Sequence, residues 1–394
     1  MIATWARLVL IWAGLIVAIG VLAGVACALF LVCLDAVTAT REAHPWLIAG
    51  LPLAGFLMGW LFLRFGQPIA GGTDQVIREA QTPRERLPLR MAPMILLGTL
   101  ITHAFGGSAG REGTAVQMGA ALADQLTRWS AVARRQRHLI LMAGMSGGFA
   151  ALFGTPFAAG IFAVEVLALG ALRWSALPLC LLTAWVGHAV VVVLGVPHVH
   201  YAIAAVPAVD GLGLGATAVA AVAFGLMARA LVITQREAGR LAQRRLPWLP
   251  LRVAVGGLLI AVIALALGST RHLGLGIPLI YEAFASSLPF SDSVLKLLLT
   301  AITLGFGFKG GEVTPLFVIG ACLGSALAWW LPLPVDVLAA VGFVAVFAAA
   351  AKTPLACIIM AMELFGPAIG WHAALACAVA YAVSGRDGIY RAQH

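Results

Sequence analysis

Long apolar runs, interrupted by glycine, proline and short clusters of arginine, set the pattern of this chain. The runs cover 8–34, 46–64, 91–106, 138–170, 174–196, 202–233, 251–268, 312–333 and 337–385. A helix crossing a bilayer core needs about 20 apolar residues, and most of the runs reach or exceed that length. Several are too long for a single crossing. The pattern therefore predicts an all-α polytopic membrane protein with many short tilted or broken helices, more than roughly ten pieces in all. A membrane barrel would show short segments of alternating polarity in place of continuous runs.

Composition agrees. Of 394 residues, 62% are hydrophobic and 10% charged, against roughly a quarter charged in soluble proteins. The net charge of +9 raises the question of nucleic acid. However, the basic residues sit in separate connectors: Arg84, Arg86 and Arg90; Arg134, Arg135 and Arg137; Arg236, Arg240, Arg244 and Arg245. Basic short loops beside spans mark the cytoplasmic side, so no nucleic-acid partner is expected. Six cysteines lie in or beside apolar runs without CxxC spacing and read as small core residues. The first run is longer than a signal-peptide core and is expected to be a retained helix. The last run ends near Ser384, so no cytoplasmic regulatory domain is expected.

The chain also repeats itself weakly at a spacing near half its length. Residues 76–80 resemble 279–283, Gly119-Ala120 resembles Gly320-Ala321, and the Thr-Pro-x-Ala stretch ending at Glu165 resembles the one ending at Glu363. Repeats of this kind mark transporters, whose sites lie where the halves meet on interrupted helices. The domain expectation is one transmembrane unit over 1–394, with halves at about 1–195 and 200–390.

The segment over 106–119 holds the densest candidate chemistry. A glycine-rich loop carries Gly110, Arg111, Glu112 and Gly113 into a predicted helix start. Unpaired N–H groups there attract an anion, or a carboxylate that competes with one, and flanking glycines allow close approach. An ionised group at bilayer depth costs at least about 2.5–3.5 kcal/mol, which makes Glu112 a functional candidate. The bland alternative pairs it with Arg111 in a capping role. The second half offers Gly310-Gly311-Glu312-Val313-Thr314-Pro315, where Glu312 and Thr314 straddle Val313 and are expected to approach one centre. A third turn with Gly72 and Thr73 can supply a backbone or hydroxyl donor. Converging helix N-termini would then make an electropositive site without a buried lysine.

Together these segments resemble the CLC family of anion channels and antiporters over nearly the whole chain. The Gly-Arg-Glu-Gly signature at 110–113 matches the family's external gate, which places that role on Glu112. The turn with Thr73 is similar to the loop of the central anion-coordinating serine. Val313 stands where the family's Gly-x-Phe-x-Pro segment usually has phenylalanine, and Tyr390 matches the inner-gate tyrosine. Thr114 replaces the proline of chloride-type members, and Val166 stands where chloride/proton exchangers keep an inner glutamate. The segments Gly-Arg-Glu-Gly-Thr-Ala-Val-Gln-Met-Gly and Gly-Glu-Val-Thr-Pro are both similar to the fluoride/proton antiporter branch, although some of its members carry methionine at the place of Thr73. The resemblance implies a CLC-type fold of two inverted repeats and a homodimer in the plasma (inner) membrane. It also implies fluoride export in exchange for protons, conferring fluoride resistance.

A chloride-selective channel or chloride/proton exchanger is the rival within the family. An enzyme is not expected, because no HExxH, paired catalytic aspartates or nucleophile motif is present. His198 and His200 form an HxH too sparse for a metal site, and neither metal nor cofactor is expected. Glu165 and Glu363 either hydrogen-bond backbone in the helix packing or flank the pathway.

Overall fold

The computed structural model describes residues 2–167 and 172–393, and every regular element among them is helical. The first half contains α1 (Ile2–Ala43), α2 (Leu51–Phe65), α3 (Gly72–Gln81), α4 (Met91–Ala104) and α5 (Glu112–Gln125), then α6 (Ala131–Arg135), α7 (Arg137–Phe153), α8 (Pro156–Glu165) and α9 (Leu177–Val193). The second contains α10 (Gly211–Arg245), α11 (Leu249–Leu267), α12 (Ile277–Ala285), α13 (Phe290–Phe306) and α14 (Val313–Leu327), then α15 (Val335–Ala351), α16 (Pro354–Phe365) and α17 (Gly370–Val383). Proline begins many of these helices, as in α2, α8, α11 and α16, where its missing N–H costs nothing. Left-handed glycines end α7, α11 and α13 at Gly154, Gly268 and Gly307.

Two of the longest apolar runs break into separate helices, as their length requires. The 138–170 run breaks at Gly154-Thr155 into α7 and α8, and its last three residues lie outside the described ones. The 337–385 run holds three helices. The run at 202–233 does not start as a helix: α10 begins at Gly211, where Asp210 accepts a hydrogen bond from the Gly213 N–H at 2.6 Å. A side chain that caps the backbone outcompetes continued helix upstream. Conversely α13 matches no predicted run, because Asp292, Ser293 and Lys296 interrupt its apolarity while being buried in the fold.

The two halves repeat one packing scheme. In the first, α5 crosses α7 where Gly119 and Gly144 put their backbones in contact; in the second, α14 crosses α15 at Gly320 and Gly342. Each added Cβ would strike the facing carbonyl, so these glycines set the close crossings that bind helices in lipid. The helices α8 and α16 then lie antiparallel and cap one another. Glu165 accepts from the Leu355 and Ala356 N–H groups at 3.0 and 2.8 Å. Glu363 accepts from those of Phe157 and Ala158 at 3.0 and 2.8 Å. Of the two readings open for these glutamates, the geometry is that of backbone capping.

The three arginine clusters share one end of the molecule. Arg137 pairs with Asp124 and Glu79 at 2.7 and 2.8 Å. Arg236 pairs with Asp387 at 2.8 Å. The C-terminal segment joins the two regions, since the Ala392 carbonyl accepts from Gln81 and its N–H donates to Asp74.

Candidate functional site

The halves meet at two glycines. Gly110 and Gly311 exchange both backbone hydrogen bonds, at 2.6 and 2.8 Å, which joins the loops leading into α5 and α14. Two helix N-termini, each with unpaired N–H groups and partial positive charge, are thereby brought together deep in the fold. Glu112 opens α5 and is 1% exposed. Its carboxylate lies over the bridge, where a Cβ on Gly110 or Gly311 would collide with Oε2. Glycine is required at both places for this close approach.

The Thr314 hydroxyl, in the first turn of α14, donates to Oε1 of Glu112. Oε2 is buried without a hydrogen-bond partner. No ion pair joins Arg111 to Glu112 among the described residues, and neither α5 nor α14 carries a side-chain cap hydrogen bond. A carboxylate at this depth costs at least about 2.5–3.5 kcal/mol. A hydrogen bond to a charged group returns roughly 1.5–3 kcal/mol, and a helix terminus up to about 2 kcal/mol.

A polar cavity and a smaller, largely apolar one approach this septum from two sides. Towards the arginine-rich end lies a cavity of about 180 Å³ lined by Gly72, Thr73, Gln117, Glu312 and Tyr390. It shares Asp74, Gln235 and Glu312 with a second cavity of about 320 Å³ that also includes Arg236. Beyond the septum, Arg111, Tyr201, Thr314 and Phe317 bound a space of about 20 Å³, enough for about one water. Arg111 is buried there, with Nε lacking a hydrogen-bond partner.

The expected site residues thus assemble, with one rearrangement. Glu312 and Thr314 do not converge: Thr314 meets Glu112 and the far cavity, whereas Glu312 faces the near cavities and accepts from Gln235 at 3.2 Å. Positions two apart at a helix start project about 200° apart, which separates them across the septum. Val313 between them is buried. Gly72 has φ +54°, the left-handed conformation that turns the chain into α3, and Gly113 packs its Cα against Gly311. Thr73 accepts from Gln117 at 3.1 Å. Thr114 turns from the pathway to the Thr99 hydroxyl at 2.6 Å.

Three participants escaped sequence reasoning: Gln117, Gln235 and Lys309. Each is a polar residue within or beside an apolar helix, a signal that was available. Lys309 lines the near cavity with its ammonium 4.7 Å from the centre of the Phe62 ring. It lies in the connector before Gly310, where the loop needs no helical apolarity.

Comparison with known proteins places this geometry among relatives. The family model described as "Voltage gated chloride channel" matches residues 54–385. A "Chloride/fluoride channel protein" of Pseudomonas syringae pv. tomato is 49% identical over 97% of this chain and 86% of its own length. A crystal structure of a CLC-type fluoride/proton antiporter superposes with a TM-score of 0.94, at 35% identity and 98% coverage of both chains. That of a slow cyanobacterial Cl⁻/H⁺ antiporter gives 0.82 at 21% identity, covering 95% of each, and is similar in fold.

Proposed function

The chain belongs to the voltage-gated chloride channel family, and from that membership we propose that it exports fluoride in exchange for protons. One observation carries the reading: the Glu112 carboxylate closes the septum while the Thr314 hydroxyl donates to it. An anion that took the carboxylate's place would meet a hydroxyl and the N-termini of α5 and α14. Fluoride, small and a strong hydrogen-bond acceptor, is suited to those donors.

The cycle follows from charge. Ionised Glu112 is held by the helix ends and Thr314. Protonation removes that attraction, the side chain leaves with its proton, and the anion replaces it. Val166 is buried and its carbonyl accepts from Gln393 at 3.1 Å, so this position offers no carboxyl relay. Glu112 is therefore the proton carrier. Glu312 faces the near cavity, with Gly72, Thr73 and Tyr390 as the anion's route to the septum. Gly110, Arg111, Gly113 and Val313 shape the septum. The arginine-rich end is cytoplasmic by its charge, which makes the near cavity the inner vestibule of a plasma-membrane protein. A homodimer with one pathway per subunit belongs to the same reading, on family resemblance.

Chloride exchange is the second reading, favoured by Thr73 and Tyr390 lining the near cavity. Purified protein in liposomes separates the two. Fluoride efflux should greatly exceed chloride efflux, and an outward fluoride gradient should drive protons inward against their own gradient. Equal fluxes, or chloride in excess, would overturn the fluoride assignment. Fluoride flux without proton movement would make the protein a channel.

A further inference from the structure

Two carboxylate side chains, Asp74 and Glu312, face the near cavity, with Glu112 buried in the septum beyond it. An anion arriving from that side would meet net repulsion if these groups were its whole electrostatic surroundings. Lys309 lines the same space. It forms no ion pair or side-chain hydrogen bond among the described residues, unlike Lys296 and Lys352, whose ammonium groups donate to backbone carbonyls. Its contacts are the Phe62 ring and Gly98, at which a Cβ would lie 2.9 Å from the lysine Cγ. The stem is thus fixed against α4 and the charge is carried over an aromatic face, which favours a cation without neutralising it. Phe62 lines the cavity too, so the charge is kept at the wall of the space and is not consumed by a carboxylate.

We propose that Lys309 is the anion-recruiting residue of the inner vestibule: its unneutralised ammonium draws small inorganic anions into the near cavity and offsets Asp74 and Glu312. The proposal rests on the anion-transport reading but not on the choice of fluoride. A fixed charge in a low-dielectric cleft raises the local concentration of its counter-ion by about tenfold or more. Its effect therefore falls on half-saturation, while maximal turnover depends on the Glu112 step. Lys309→Met keeps the stem that packs on Gly98 and removes the charge. Lys309→Arg restores a cation that also stacks on aromatic faces.

The test is initial efflux from proteoliposomes over a range of internal fluoride, with chloride run in parallel. Lys309→Met should raise the half-saturating concentration about tenfold with maximal flux and fluoride/proton ratio near those of the unaltered protein, and Lys309→Arg should recover most of the loss. A high concentration of a large non-transported salt should narrow the gap between charged and neutral side chains, because exposed charge is screened. A Met variant with unchanged half-saturation overturns the proposal. So does one whose flux falls equally at every concentration together with its melting temperature, since Lys309 would then only support the loop. If the unaltered protein moves chloride and not fluoride, the fluoride reading fails alone, and the chloride titration decides Lys309 by the same criterion.

Discussion

At the scale of one residue, the pathway turns on a hydroxyl. Thr314 gives Glu112 its one side-chain hydrogen bond, while the other carboxylate oxygen stays unpartnered. Losing a hydrogen bond to a charged group costs roughly 1.5–3 kcal/mol, equivalent to about 10–100-fold in rate if the bond acts in the rate-limiting step. Thr314→Val, of nearly the same volume, should therefore lower fluoride flux at least about tenfold while the protein still folds. Flux measured beside a thermal melt checks this: a lowered melting temperature with normal flux would reduce Thr314 to a structural part. The place of Glu112 at the buried start of a helix was legible from Gly-Arg-Glu-Gly, because the glycines mark the loop that opens it. The separation of Glu312 from Thr314 was not, since it depends on the direction in which α14 starts.

Helices α8 and α16 carry the clearest lesson at the element scale. Each ends in a glutamate that caps the other's first turn, so the repeated Thr-Pro-x-Ala…Glu pattern is an inter-element contact written twice. Either glutamate replaced by alanine leaves two N–H groups without their partner, and the pair at Glu165 is the more deeply buried. A cap is worth about 1 kcal/mol when exposed, and buried donors left unpaired cost about 1–3 kcal/mol each. We expect Glu363→Ala to lower the melting temperature clearly while leaving the fluoride/proton ratio unchanged. An altered ratio at normal stability would instead place this residue on the proton route. The sequence showed most helices by their apolar runs, but missed α13 because its buried polar residues mimic a loop. The lengths of the 138–170 and 337–385 runs called for division, but not where, because a break of a few residues barely lowers apolarity.

For the whole molecule, inverted duplication explains why one pathway suffices for a chain with so many helices. The loops before α5 and α14 are counterparts that meet at Gly110 and Gly311, and cavities approach from both ends. Glu112 and Thr314, over the Gly110–Gly311 bridge, lie between those cavities, and a layer only a few residues deep has an electrical consequence. A membrane voltage falls mostly across whatever resists ions, so the field is concentrated on this layer instead of being spread over the full bilayer. Fluoride leaving and a proton arriving carry opposite charges in opposite directions, and both displacements count with the same sign. Each elementary charge moved through 100 mV is worth about 2.3 kcal/mol. Exchange should therefore accelerate severalfold or more when potassium and valinomycin clamp the vesicles inside-negative, with the fluoride gradient outward. A flat response to clamped voltage would mean that the slow step moves no charge across the layer. In a cell, the resting potential would then help expel fluoride even where the two sides hold equal concentrations of it.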